Sequence, residues 1–200
     1  LLTVALTLAS GAAAAAEPPP SHVLLRGQLL ALDLGGAINW PQLRDPTQVE
    51  PDPGPGVALQ VETAPSAAVA LRLDLACARF DADVTWWPYG GWYGSRRYQE
   101  SFTFTQVGIG ARFRLASRPG WTLHLTPLAL FQMVDSSSGY RTDELFGGPA
   151  IGVELGADFR PRPQSPWFWT VAARAFSVAT TDHGEPSTAG QLAAGAGRTF

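Results

Sequence analysis

Two hundred residues suit one domain of ordinary size. Charged residues make up 16% and hydrophobic residues 46%, with a mean hydropathy of +0.02. A soluble domain is about a quarter charged, so an ordinary water-covered surface is excluded. The formal net charge is −3 and the sequence has no lysine, which excludes the basic footprint of a nucleic-acid binder.

Leu1–Ala9 is apolar and has the length of a signal-peptide core. The GAAAAAE that follows supplies small residues for an A-x-A cleavage site, placed near Ala16–Glu17. The run is too short to cross about 30 Å of hydrocarbon as a helix. Residues 1–16 therefore read as a cleavable signal peptide that the sequence enters part-way. Residues 17–21 read as a periplasmic lead-in and 22–200 as the folded body. One cysteine, Cys77, leaves no internal disulfide, and it lies too far from the signal segment for a lipoprotein.

Eight strands are expected, at 22–34, 56–63, 67–84, 101–115, 121–135, 145–160, 167–179 and 189–200. The connectors alternate in length. Gly35–Pro55, Thr85–Glu100, Ser136–Glu144 and Thr180–Thr188 are the longer ones; Ala64–Ser66, Ser117–Gly120 and Pro161–Pro166 are short. Short turns on one side and longer loops on the other are the pattern of a transmembrane barrel. An even strand count puts both termini on the short-turn, periplasmic side.

Side chains on a strand face opposite sides in turn. The fourth strand sets Val107, Ile109, Ala111, Phe113 and Leu115 against Gln106, Gly108, Gly110, Arg112 and Arg114. The third sets Val69, Leu71, Leu73, Leu75 and Cys77 against Arg72, Asp74, Ala76 and Ala78. The sixth and seventh repeat the pattern. The fifth does so with Leu128 and Leu130 as exceptions, and the first two strands are weaker. A soluble lipocalin-like barrel has the same period with its apolar face inward. Here the polar face is rich in Gly and Ala, which suits a crowded lumen and not a solvated exterior, so the apolar face points outward.

That face changes character at a definite height. Beyond Cys77 its positions become Arg79, Asp81 and Asp83; before Val107 they are Thr105, Thr103 and Ser101. About nine to eleven tilted residues cross a bilayer core, so the upper membrane edge is expected near Ala78 and Gln106. Above it Phe80, Val84, Trp86, Phe102 and Phe104 take lumen parity and are expected to cover the mouth, with a bulge at Ala78–Phe80 as the rival account. Trp121, Phe159, Trp167, Trp169 and Phe200 take outward parity near the short turns, where aromatic rings favour a membrane interface.

The chain ends LAAGAGRTF, with Phe200, Arg198, Ala196, Ala194 and Leu192 on one face. A terminal Phe on an amphipathic last strand resembles the assembly signal of bacterial outer-membrane barrels. With the eight strands, the whole chain resembles the family of outer-membrane protein X and the membrane domain of outer-membrane protein A. Arg198 stands where such signals carry an apolar residue. The resemblance implies an all-β, closed antiparallel eight-stranded transmembrane barrel in the bacterial outer membrane. It also implies Phe200 as the assembly signal read by the barrel-assembly machinery.

Arg26, Arg72, Arg112, Arg114, Arg160 and Arg174 share lumen parity with Glu62, Asp74, Glu154 and Asp158. An eight-stranded barrel is just wide enough for side chains to fill, and unpaired buried charge is costly, so these ten are expected to pair and plug the lumen. The segment Thr85–Glu100 carries Trp86, Trp87, Tyr89, Trp92, Tyr93 and Tyr98 with Arg96 and Arg97. Such residues anchor partners, or hold a lipopolysaccharide phosphate. A role in structure or surface interaction is expected, as a monomer amid outer-membrane lipid, with no catalytic residue, cofactor or metal. The alternatives are a narrow channel for small solutes, a lipid-modifying enzyme using His124 or His183, and a soluble periplasmic ligand-binding barrel.

Overall fold

The computed structural model describes residues 21–33, 47–63, 68–86, 94–136, 146–162, 164–178 and 187–200. The first segment and most of the expected long connectors, with Trp87, Tyr89, Trp92, Tyr93 and His183, lie outside the described residues.

Nine strands run in chain order: β1 (Ser21–Asp33), β2 (Thr47–Pro51), β3 (Gly54–Thr63), β4 (Val69–Trp86), β5 (Arg96–Arg118), β6 (Trp121–Ser136), β7 (Phe146–Phe159), β8 (Trp167–Val178) and β9 (Ser187–Thr199). Neighbours pair antiparallel in the ring β1–β3–β4–β5–β6–β7–β8–β9 and back to β1. The ring has eight staves. Closure satisfies backbone N–H and C=O groups without an open edge, which a structure surrounded by hydrocarbon requires. No described helix is long and apolar enough to cross a membrane.

The apolar face is outside. Leu25, Val57, Leu71, Leu73, Ile109, Ile151, Val171 and Leu192 are exposed, Ile151 to 74%, while Arg26, Gln60, Glu62, Arg72, Asp74 and Glu154 are buried inside. Above the apolar band, Arg79, Asp81 and Thr103 continue the outward face. At the opposite end Phe159, Trp167, Trp169 and Phe200 are exposed, and Arg198 lies 5.6 Å from the Trp167 ring and 5.1 Å from that of Phe200.

Three boundaries differ from expectation. The β4–β5 ladder is unbroken from Val69↔Phe113 to Trp86↔Arg96. The hairpin thus rises about 26 Å above Ala78, at some 3.3 Å per residue, and there is no bulge at Ala78–Phe80. Trp86, Arg96, Arg97 and Tyr98 accordingly belong to strands and not to a loop.

The irregularity lies on the neighbouring stave. Residues 47–51, expected within a loop, form β2 and pair with Ala82–Trp86. β3 takes over below, from Gly56↔Ala78, one residue out of register. The sequence PDPGPG at 51–56 explains the offset, since proline cannot donate to the ladder. A Cβ on Gly54 would fall 2.0 Å from the Arg79 carbonyl oxygen, so only glycine lets the backbone pass this close.

The β5–β6 connection is the two-residue turn Pro119-Gly120, with Gly120 at φ +88°. Gly120→Ala is expected to cost about 1–2 kcal/mol, the left-handed penalty of an L-residue. A lowered urea midpoint in detergent micelles would register it.

Candidate functional site

The lumen is filled in two layers. The lower centres on Glu154 of β7. It accepts Arg26 Nη1 at 3.0 Å on each oxygen, Arg72 Nη1 at 2.6 Å and Nη2 at 2.9 Å, and Arg174 Nε at 3.2 Å and Nη2 at 2.9 Å. Asp74 accepts from Arg72, from Arg174 and, at 2.8 Å, from Gln60 Nε2. Gln106 Oε1 accepts Arg174 Nη1 at 2.8 Å. Toward the short turns Arg112 bridges Glu62, at 2.6 Å, and Asp158.

Four guanidiniums thus meet four carboxylates. Glu154 and Asp74 alone leave one positive charge over, and the Arg112 cluster carries one negative charge more. Charge-assisted bonds are short and strong, and inside a low-dielectric lumen they polarise one another. Six staves contribute, so the network also clamps the closed ring from within.

The upper layer is apolar. Ala78, Phe80, Ala82, Val84, Phe102, Phe104, Leu128, Leu130, Ala150, Phe176 and Ala189 form one buried cluster. Phe80 stacks on Phe102 at 5.3 Å and Phe104 on Phe176 at 6.0 Å. This explains the inward Leu128 and Leu130, which complete an apolar cap over the charges. The side chain of Trp86 lies outside the described residues.

Of the ten charged residues expected in the lumen, eight meet as described and two do not. Arg114 keeps its lumen parity, pairing with His124 just before the β5–β6 register shift, but stands at the open short-turn mouth, where it is exposed. Arg160 lies just past β7, where Nη1 donates to the Ser165 carbonyl at 3.3 Å, Nη2 donates to Thr199 Oγ1 at 3.0 Å, and the guanidinium covers Phe168 at 5.4 Å. Gln60 and Gln106 were not foreseen. Their lumen parity was legible, but amides carry no charge that demands a partner.

At the upper end Tyr98, Arg96 and Arg97 are exposed. Arg97 Nη2 is 2.6 Å from Asp83 Oδ2 and 3.9 Å from Glu50 Oε2. The hydrogen bond to Asp83 holds the Arg97 pKa above its ordinary value. Arg97 is thus committed to Asp83 across the hairpin, whereas Arg96 makes no ion pair among the described residues. His124 is fully buried, with Nε2 3.4 Å from Asp158 Oδ1. Among the described residues no three His, Cys, Asp or Glu form a metal-binding group.

No protein-family model and no curated protein matches the chain. Solved structures do. Neisserial surface protein A superposes with a TM-score of 0.61 at 14% identity, over 90% of this chain and 97% of that one. The outer membrane protein OprG from Pseudomonas aeruginosa gives 0.58 at 12%, over 92% and 97%. Ail, the attachment invasion locus protein of Yersinia pestis, gives 0.53 at 14%, over 92% and 100%. With the closed ring and the outward apolar band, these likenesses give this chain the fold of the small eight-stranded outer-membrane β-barrels.

Proposed function

We propose that this chain is a non-enzymatic outer-membrane barrel whose lumen is closed by its own side chains and whose work is done at its extracellular end. One observation carries the reading. Two stacked layers, a charge network and an aromatic cap, cross the lumen one above the other. Solute passing end to end would have to break both. Among the described residues the projecting β4–β5 hairpin offers exposed Arg96 and Tyr98 for contact, whose chemistry suits a lipopolysaccharide phosphate or a surface partner. The apolar exterior counts against a soluble ligand-binding barrel. The barrel-assembly machinery would read the last strand through its outward Leu192 and Phe200.

Planar-bilayer recording of the refolded protein tests the closed lumen. The expected trace is flat for the wild type. Stepwise conductance in the unmodified chain would overturn the reading in favour of a narrow channel. The paired variant Phe104→Ala with Phe176→Ala opens one ring stack of the cap and should also stay closed, because the charge layer beneath it persists.

A further inference from the structure

The short-turn end of the barrel is not filled. A cavity of about 620 Å³ opens there, with Arg112, His124 and Asp158 among the residues at its depth and Arg114, Arg118 and Arg160 toward its rim. Its volume falls in the range of small-molecule sites, about 300–1,000 Å³. Ser117 and Thr122 add hydroxyls to the wall.

The charge around this cavity is lopsided. Four guanidiniums, Arg112, Arg114, Arg118 and Arg160, face two carboxylates, Glu62 and Asp158. Both carboxylates are already engaged by Arg112. Arg114 and Arg118 are exposed and make no ion pair among the described residues, and Arg160 is held by a carbonyl and a hydroxyl and not by an acid. This excess of positive charge is local, since the chain as a whole carries −3. Arg114 pairs with His124 on the lumen face, which sets it directly beside the cavity, and the β5–β6 register shift follows immediately after it.

A second feature points into the same space. His124 is completely buried and lines the cavity; its Nε2 lies 3.4 Å from Asp158 Oδ1, and its Nδ1 has no hydrogen-bond partner among the described residues. Buried polar atoms ordinarily find a partner, and an imidazole N–H is a ready donor to an oxyanion.

We propose that this mouth is a binding site for a small multivalent oxyanion, a phosphate ester or polycarboxylate. Arg114 and Arg118 capture the ligand at the rim, Arg160 lies across from them, and His124 donates from the depth. Guanidinium forks match phosphate and carboxylate oxygens two at a time. The proposal is independent of what the other end of the barrel contacts.

Isothermal titration of the intact, refolded barrel in neutral detergent, with pyrophosphate as the probe, tests it. One pyrophosphate per chain is expected at low salt, with affinity falling as salt rises. Arg114→Ser combined with Arg118→Ser should weaken binding by about ten-fold or more, about 1.4 kcal/mol or more. Both side chains are exposed, so heat-dependent gel mobility should not change. Arg96→Ser, at the far end, should leave the affinity as it is. Absence of binding at low salt, or equal weakening by the rim variant and Arg96→Ser, would overturn the site. Adding phosphatidylglycerol to the micelles separates the sources. Competition assigns the phosphate to lipid headgroups of the facing leaflet, and undiminished binding assigns it to a soluble anion.

Discussion

Glu154→Gln should destabilise the barrel by about 3–5 kcal/mol, the usual cost of stripping one partner from a buried ion cluster. The amide keeps the shape of the carboxylate but not its charge. Arg26, Arg72 and Arg174 would then share Asp74 as the one remaining carboxylate of their layer, all of them buried. The measurement is the urea midpoint of unfolding from micelles, together with the folded fraction on unboiled gels. The companion variant, Glu154→Gln with Arg72→Gln, restores the balance of charge and should recover more than half of the loss. If the single change left the midpoint where it was, the lower layer would not be a coupled network. If the pair were worse than the single, geometry and not charge balance would be what Glu154 supplies.

Leu73→Arg tests the outside of the wall. Leu73 is exposed, sits mid-way along the outward apolar run of β4, and pairs with Ile109 on one side and Val61 on the other. An arginine at the bilayer midplane of such a barrel costs about 2–4 kcal/mol. Thr103→Arg, above the apolar band on β5, should cost about 1 kcal/mol or less, because the guanidinium reaches the interface. The comparison belongs in lipid vesicles, by reversible unfolding in denaturant. Equal costs at the two positions would mean that hydrocarbon does not cover this face. A soluble barrel would accept both.

The same two positions show why the architecture was legible before any coordinates. Leu73 and Thr103 lie on outward faces because strand parity is fixed by covalent geometry, and a one-residue slip would turn every neighbour to the wrong side. Eight such runs, with alternating short and long connectors, admit few arrangements other than a closed ring. Seven of the eight strands were placed to within two residues at each end, β5 being the exception.

The misses have physical causes. The Thr47–Pro51 strand hides among prolines, and its pairing is supplied by the upper part of β4, which no local pattern can announce. The continuation of β4 and β5 to Trp86 and Arg96 was obscured because tryptophan and arginine serve strands and loops alike. Arg114 has faultless lumen parity in the sequence. That parity holds, since Arg114 pairs with the lumen residue His124; what alternation does not announce is that this height is the open mouth of the barrel.

Composition, parity and punctuation by themselves determined the all-β class, the stave count, the outward apolar face and the set of charged residues available to the lumen. These are properties of single strands, repeated. Which guanidinium meets which carboxylate was decided only by closure. Glu154 gathers Arg26, Arg72 and Arg174 from 128, 82 and 20 residues away in the chain. Closing the ring brings those staves together around a lumen that side chains can fill, and electrostatics then selects the partners that leave no charge alone.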